Sequence, residues 1–173
     1  SIDFAISNNV SWLACSPATG NLDGHGAQAV TASVSVVGLD AGSTGGAVTV
    51  TSLLATNGPQ IAAVSLVVSQ KFLTVIGALA ANKVFDGSSN TVISGAELSG
   101  LLDGDQVALS ETNAFFGQTD AGTHLPVTAA LAITGLDAPN YTLVQPTGLA
   151  ADILKADQTI LFPNPGEQIT TNI

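Results

Sequence analysis

Short segments in which apolar and polar residues alternate run through the whole chain. The alternation is clearest in residues 30–36 (VTASVSV), 48–52 (VTVTS) and 63–68 (AVSLVV). A period of two places successive side chains on opposite faces of a strand and is typical of half-buried strands. The pattern therefore predicts an all-β protein.

Turn signals rich in Gly, Asn, Asp and Pro separate these segments, for example residues 38–42 (GLDAG) and 57–59 (NGP). Their close spacing favours antiparallel sheets packed as a sandwich. Helical periodicity is scarce, and only residues 94–102 are expected to form a helical turn or two.

Composition and charge narrow the classes of function. The chain has 13 acidic residues against three lysines and no arginine, which gives a formal net charge of −10. Because binding to nucleic acids and anionic membranes depends on Lys and Arg, this charge argues against both kinds of partner. No stretch approaches the roughly 20 apolar residues of a membrane helix, so no membrane span is predicted.

The sequence holds little that indicates catalysis or metal binding. Asp103 and Asp105 are spaced for two calcium ligands, but no third acidic residue is adjacent, and an Asp-Gly turn explains them equally well. His25 and His124 have no Cys, Asp or Glu neighbours at metal-ligand spacing. Nucleophile elbows, phosphate-binding loops and dinucleotide fingerprints are absent. We expect no enzyme activity, no catalytic residues and no cofactor.

Four motifs occur in order in the second half of the chain: 82–87 (NKVFDG), 102–107 (LDGDQV), 120–123 (DAGT) and 135–143 (GLDAPNYTL). This series resembles the YDG repeat of bacterial secreted surface proteins and giant adhesins, over roughly residues 72–155. Phe85 replaces the tyrosine that gives the family its name. The resemblance implies a β-sandwich or β-grasp-like module over residues 70–155.

The same resemblance implies an extracellular or cell-surface location. The chain begins with Ser1 and contains no Met, so we expect that an N-terminal segment has been removed. A charged fraction of only 9% is consistent with a surface built from Ser, Thr, Asn, Gly and Ala.

Residues 1–69 resemble a second family, the BACON-type immunoglobulin-like domain of bacterial surface proteins. The resemblance rests on Trp12-Leu13 and on segments 38–42, 48–52 and 57–60. It implies an immunoglobulin-like sandwich and leaves any ligand open. Such domains open with one or two further strands, whereas only residues 1–7 precede the first turn here. A sandwich that lacks a strand exposes an unpaired edge and an apolar groove.

Residues 156–173 resemble the missing opening strands and are too short to fold alone. We therefore expect a strand-donating C-terminal tail that inserts into the incomplete domain of the next subunit, giving a pilus-like homopolymer held by donor-strand complementation. The predicted donor residues are Ile160, Leu161, Phe162, Ile169 and Ile173. The predicted acceptor residues are Ile2, Phe4, Ile6 and Trp12.

Three alternatives stay open at this point. The tail could fold back on its own chain, or the chain could be one repeat of a tandem array. The protein could also be a spacer or a ligand-binding adhesin repeat, for which host or surface glycans are the expected partners. In the filament hypothesis the partners are further copies of the chain.

Overall fold

The structure is a computed structural model that describes residues 1–161, apart from the side chains of Glu111 and Thr112. The described chain forms fifteen strands and one short 3-10 helix. The strands of the first half are β1 Ile2–Asn8, β2 Leu13–Ser16, β3 Thr19–Leu22, β4 Thr31–Val34, β5 Gly42–Thr51, β6 Gln60–Val68 and β7 Lys71–Ile76. Those of the second half are β8 Leu79–Ala80, β9 Lys83–Val84, β10 Asn90–Ser94, β11 Glu97–Ser99, β12 Ala108–Phe116, β13 Gly122–Thr134, β14 Tyr141–Val144 and β15 Leu149–Leu154. The 3-10 helix is Ala138–Asn140.

The all-β prediction is confirmed, and the three alternating segments lie in or around β4, β5 and β6. The expected helical turn at residues 94–102 is wrong, because Glu97–Ser99 is a strand. No helix in residues 1–161 is long and apolar enough to cross a membrane.

The chain forms two compact units, each made of several segments. Among the described residues, the first unit consists of Ser1–Thr74, Gly100–Ala108 and Ile133–Val144, and the second of Val75–Ser99, Leu109–Ala132 and residues 145–161. The division into domains 1–69 and 70–155 and a tail at 156–173 stays a prediction.

In the first unit, four antiparallel strands form one sheet in the order β3-β1-β5-β6. A separate antiparallel pair joins β2 and β4, with Leu13 opposite Val34 and Cys15 opposite Ala32. Strands β7 and β14 pair in parallel, with Leu73 opposite Leu143.

In the second unit, six strands form a sheet in the order β8-β10-β12-β13-β15-β9. The pairing of β15 with β9 is parallel, and the pairing of β13 with β15 shifts register between Gly122 and Leu125. Strands β12 and β13 are long enough that their ends belong to the first unit.

The buried apolar side chains are distributed unevenly. The second unit contains eight of them: Ile93, Ala114, Phe116, Val127, Ala129, Leu131, Ala151 and Ile153. The first unit contains five: Phe4, Trp12, Leu13, Leu73 and Tyr141. Only three of these lie in residues 1–69, so this part of the chain has a small core for its length.

Candidate assembly surface

One face of the four-stranded sheet carries most of the predicted acceptor residues. Ile2, Phe4 and Ile6 alternate along β1 and therefore point to the same side. Ile6 lies opposite Val50 of β5, which extends this face across the sheet. We call it the inner face. Three of the four predicted acceptor residues thus lie on one face of β1.

Phe4 is the buried centre of this face. It lies opposite Gly20 of β3, and its ring occupies the space that a Cβ at Gly20 would need. A larger residue at position 20 would displace the ring. Gly20 therefore allows the aromatic side chain to lie flat across the neighbouring strand.

The fourth predicted acceptor residue, Trp12, covers part of the same face. A Cβ at Gly46 of β5 would lie 2.6 Å from Val10 Cγ2 and 3.1 Å from Trp12 Cζ2. Both side chains therefore pack directly on the backbone of β5. Trp12 and Leu13 are buried, and Trp12 packs this part of the chain against the four-stranded sheet.

In the β2–β4 pair, Leu13 of β2 is buried, whereas all of β4 is exposed. Leu13 and Val34 are opposite each other and share a face, yet Leu13 is 2% exposed and Val34 is 49% exposed. All four residues of β4 are exposed, as are the flanking Val30 and Val36. Among the described strands β4 pairs only with β2. The sequence predicted a half-buried strand here, but residues 1–161 leave Val30, Val34 and Val36 between 38% and 54% exposed.

A cavity of about 560 Å³ opens where the inner face meets the loops at the end of the sheet. Its apolar lining includes Ile2, Phe4, Leu22 and Val50. Asp23, His25, Asn57 and Gln60 supply polar groups. The cavity is large enough for one or two apolar side chains of another segment.

The predicted donor residues are divided between the described and undescribed chain. Ile160 and Leu161 belong to no strand and are 79% and 87% exposed. Phe162, Ile169 and Ile173 lie outside the described residues. The described donor residues are therefore accessible to a partner.

The first of the four ordered motifs forms a turn organised by Lys83. Its Nζ forms an ion pair with Asp86 at 2.7 Å and donates hydrogen bonds to Ser88 Oγ at 2.7 Å and to the carbonyl oxygen of Asn90 at 3.1 Å. Asp86 also accepts a hydrogen bond from the Ser88 amide. The Lys83 hydrogen bond, followed by that of Ser88, lowers the pKa of Asp86 to about 2. Phe85 is exposed, and its amide donates a hydrogen bond to the carbonyl oxygen of Leu154 at 2.8 Å.

The second and fourth motifs meet through Tyr141. Its hydroxyl donates to Asp105 at 2.5 Å and accepts from the Leu102 amide at 3.1 Å. Burial, followed by the hydrogen bond to Asp105, raises the pKa of Tyr141. Asp137 accepts a hydrogen bond from the Gln106 amide at 2.7 Å. The acidic residues of these motifs therefore act as hydrogen-bond acceptors for the backbone and for a buried tyrosine.

The weak calcium candidates, Asp103 and Asp105, lie in and beside the turn of the second motif. Asp105 is engaged by Tyr141, and Asp103 is an exposed turn residue. Both line a cavity of about 680 Å³ together with Asp40 and Asp137. Among the described residues, no three His, Cys, Asp or Glu side chains are arranged to hold a metal ion.

One contact of the fourth motif was missed by the sequence analysis. Asn140 accepts a hydrogen bond from the Ala41 amide at 2.7 Å and donates one to Asp40 Oδ1 at 3.0 Å. Asp40 and Ala41 form part of the 38–42 turn. Both motifs are visible in the sequence, but nothing in their spacing indicates that they meet.

These features define an all-β protein whose first unit has an incompletely covered apolar face. A family model of the YDG domain matches residues 69–148, which are 80 of the 173 residues. This confirms the YDG resemblance over most of the predicted range. No curated protein and no solved structure matches the chain. The resemblance of residues 1–69 to a BACON-type domain stays a prediction.

Proposed function

We propose that this protein is the structural subunit of an extracellular bacterial filament, and that it polymerises head to tail by β-strand complementation. In this proposal, residues 1–69 form an incomplete immunoglobulin-like, BACON-like domain. The tail, residues 156–173, completes the corresponding domain of the next subunit. The contact joins two different surfaces and does not close on itself, so it generates a fibre.

The observation that carries the proposal is the uncovered apolar side of β4. Val34 shares a face with the buried Leu13 but remains half exposed, and β4 has one described neighbour only. A strand added beside β4 would satisfy its free backbone groups and cover Val34 and Val36. The cavity bounded by Ile2 and Phe4 supplies a second apolar site on the same unit.

The tail carries apolar side chains and little charge, as a segment that covers these apolar sites must. Ile160 and Leu161 are almost fully exposed in the described chain, and transferring one such side chain from water to a core stabilises by about 1.5–3 kcal/mol. The tail contains only two charged residues, Asp157 and Glu167. Few ionic groups would therefore have to be desolvated when it is inserted.

Electron microscopy of negatively stained full-length chain tests the proposal directly. We expect filaments from the unchanged chain and none from a chain with Ile160→Asp and Phe162→Asp, or from a chain ending at Lys155. Leu136→Asp is the matched control, because Leu136 is equally exposed but lies outside the proposed contact. This variant should still form filaments.

Peptide binding then separates assembly between chains from folding back of the tail. A fluorescent peptide of residues 156–173 should bind the Ile160→Asp/Phe162→Asp chain, whose acceptor is empty, and should fail to bind when Val34→Lys is added. Excess peptide should also stop filament growth of the unchanged chain. Dispersed particles from every variant, with no peptide binding, would refute the proposal and favour a spacer or ligand-binding repeat of a surface adhesin.

A further inference from the structure

Strand β6, Gln60–Val68, is a second open edge of the first unit. It pairs with β5 through nine consecutive residue pairs without a shift in register. It is the last strand of its sheet, and in residues 1–161 no other strand pairs with it. Six of its nine residues are exposed and the other three are half-buried, so the rest of the described chain leaves it accessible.

This edge lacks the features that normally prevent strands from pairing between molecules. Native edge strands are protected by charged residues, prolines, bulges or short length. β6 contains no charged residue, no proline and no glycine, and its register is continuous. The protection expected for a monomeric sheet is therefore absent.

Strands β5 and β6 carry no charged residue, although the chain as a whole is acidic. Residues 41–70, a run of 30, contain no Asp, Glu, Lys or Arg, although the formal net charge of the chain is −10. Two copies that pair along β6 therefore place no like charges directly opposite each other in the strand pair, despite the net negative charge of the chain. The charge pattern therefore favours a second copy of the same chain as the occupant.

The residues of β6 also match each other in reverse order. When two antiparallel copies of a nine-residue strand overlap completely, position 64 lies on the two-fold axis and Ile61 lies opposite Val67 of the second copy. Ile61 and Val67 are the two large exposed side chains on the outer face of β6, at 68% and 69% exposure. Complete overlap thus places exposed aliphatic residues opposite each other at both ends, a stabilising cross-strand arrangement.

We propose that β6 mediates an isologous contact in which two copies join their four-stranded sheets into one continuous eight-stranded sheet across a two-fold axis at Val64. This inference goes beyond the head-to-tail filament and does not depend on it. An isologous contact closes with two copies, whereas the tail contact is open-ended. If both operate, the β6 contact pairs neighbouring filaments side by side.

Site-specific disulfides test the register of this pairing. The full-length chain carries Cys15→Ser, which removes the single native thiol, and Ile160→Asp/Phe162→Asp, which prevents tail-mediated assembly. One preparation then receives Ile61→Cys and another Val67→Cys. Opposite residues lie about 5 Å apart between Cβ atoms, close to disulfide geometry, whereas Ile61 lies roughly 20 Å from Ile61 of the second copy.

In a glutathione buffer, we expect the mixture of the two preparations to form a disulfide-linked dimer several-fold faster than either preparation alone. Equal rates in all three samples would overturn the proposal. So would faster dimerisation of Ile61→Cys alone, because that result indicates parallel pairing.

Variants with charged residues at positions 61 and 67 test the contact independently, with dimer formation measured by sedimentation velocity. The background is the Ile160→Asp/Phe162→Asp chain with its native Cys15. In this background, both the Ile61→Lys/Val67→Lys chain and the Ile61→Glu/Val67→Glu chain should be monomeric. Each of them places like charges opposite each other when two identical copies pair. Mixing them should restore dimers. Leu136→Lys, a control outside β6, should leave the dimer unchanged. A tail-blocked parent chain that stays monomeric at the highest soluble concentration would refute the contact, whatever the filament assay shows.

Discussion

Asn140 and Asp40 lie 100 residues apart in the sequence and are joined by a hydrogen bond of 3.0 Å from Nδ2 to Oδ1. The same Asn140 side chain accepts a hydrogen bond from the Ala41 amide. One amide group therefore fixes the 38–42 turn to the 3-10 helix of the fourth motif. These two hydrogen bonds lie within the first unit and join segments that are 100 residues apart in the sequence.

Asn140→Ala should lower the free energy of unfolding by about 1–2 kcal/mol, because it removes two hydrogen bonds and leaves the Ala41 amide without its acceptor. Chemical denaturation followed by tryptophan fluorescence of Trp12 measures this loss. Asn57→Ala is the matched control, since the exposed Asn57 side chain makes no hydrogen bond in the described chain. Equal effects of the two changes would contradict the role given to Asn140.

Gly135 is expected to tolerate no side chain. Its φ is +130°, and a Cβ there would lie well inside van der Waals contact of the Gln106 carbonyl oxygen. Gly135→Ala therefore introduces both backbone strain and a steric clash with the Gln106 backbone. It should lower the free energy of unfolding by about 3 kcal/mol or more. Gly104→Ala is the control, because Gly104 has a φ of +92° and open space around it. Thermal unfolding should show a clearly smaller loss for Gly104→Ala.

Ionisation of Tyr141 should lower the stability of the folded protein at alkaline pH. Burial and the hydrogen bond to Asp105 raise the pKa of Tyr141 above its ordinary value of 10.0, so the folded protein favours the protonated hydroxyl. Its contribution is complete below pH 10 and is lost as the pH rises through the folded-state pKa. Tyr141→Phe should lower the melting temperature by several degrees at pH 7, and the difference from the unchanged protein should narrow above pH 10. A difference that stays constant across this range would contradict the assignment.

Protonation of Asp86 should contribute to the loss of folding stability at acid pH. Its pKa is lowered from 3.8 to about 2 by Lys83 and Ser88, so its contribution is present above pH 3.8 and is lost as the pH falls through about 2. Asp86→Asn should destabilise the protein at neutral pH and flatten the decline in melting temperature between pH 4 and pH 2. Asp120→Asn is the control, because the exposed Asp120 side chain makes no hydrogen bond or ion pair in the described chain. It should reproduce the unchanged profile.

Local pattern predicted the all-β class and three of the fifteen described strands. Alternation at residues 63–68 falls within β6, and the alternation at residues 48–52 overlaps the end of β5. Strand periodicity depends on backbone geometry that each segment carries by itself. The helical turn expected at 94–102 failed because a few residues of weak periodicity do not distinguish a turn from the strand Glu97–Ser99.

The candidate site was predictable in part. The predicted acceptor residues Ile2, Phe4 and Ile6 were named from the resemblance of residues 1–69 to an incomplete immunoglobulin-like domain, and the structure places them on one face with Val50. The cavity at Leu22 was missed, since it depends on loops that fold against the sheet from distant positions. The open edge of β6 was missed for a related reason: alternation describes a strand and carries no information on its neighbours.

The sequence alone determined that this protein is all-β, that residues 69–148 match the YDG domain model, and which faces of its alternating strands are apolar, because these properties reside in local patterns and ordered motifs. Only the tertiary structure decided that β4 and β6 stay uncovered in residues 1–161 and that Asn140 meets Asp40. These features depend on which distant segments come together. Such pairings are set by the packing of the whole chain, and no single segment specifies them.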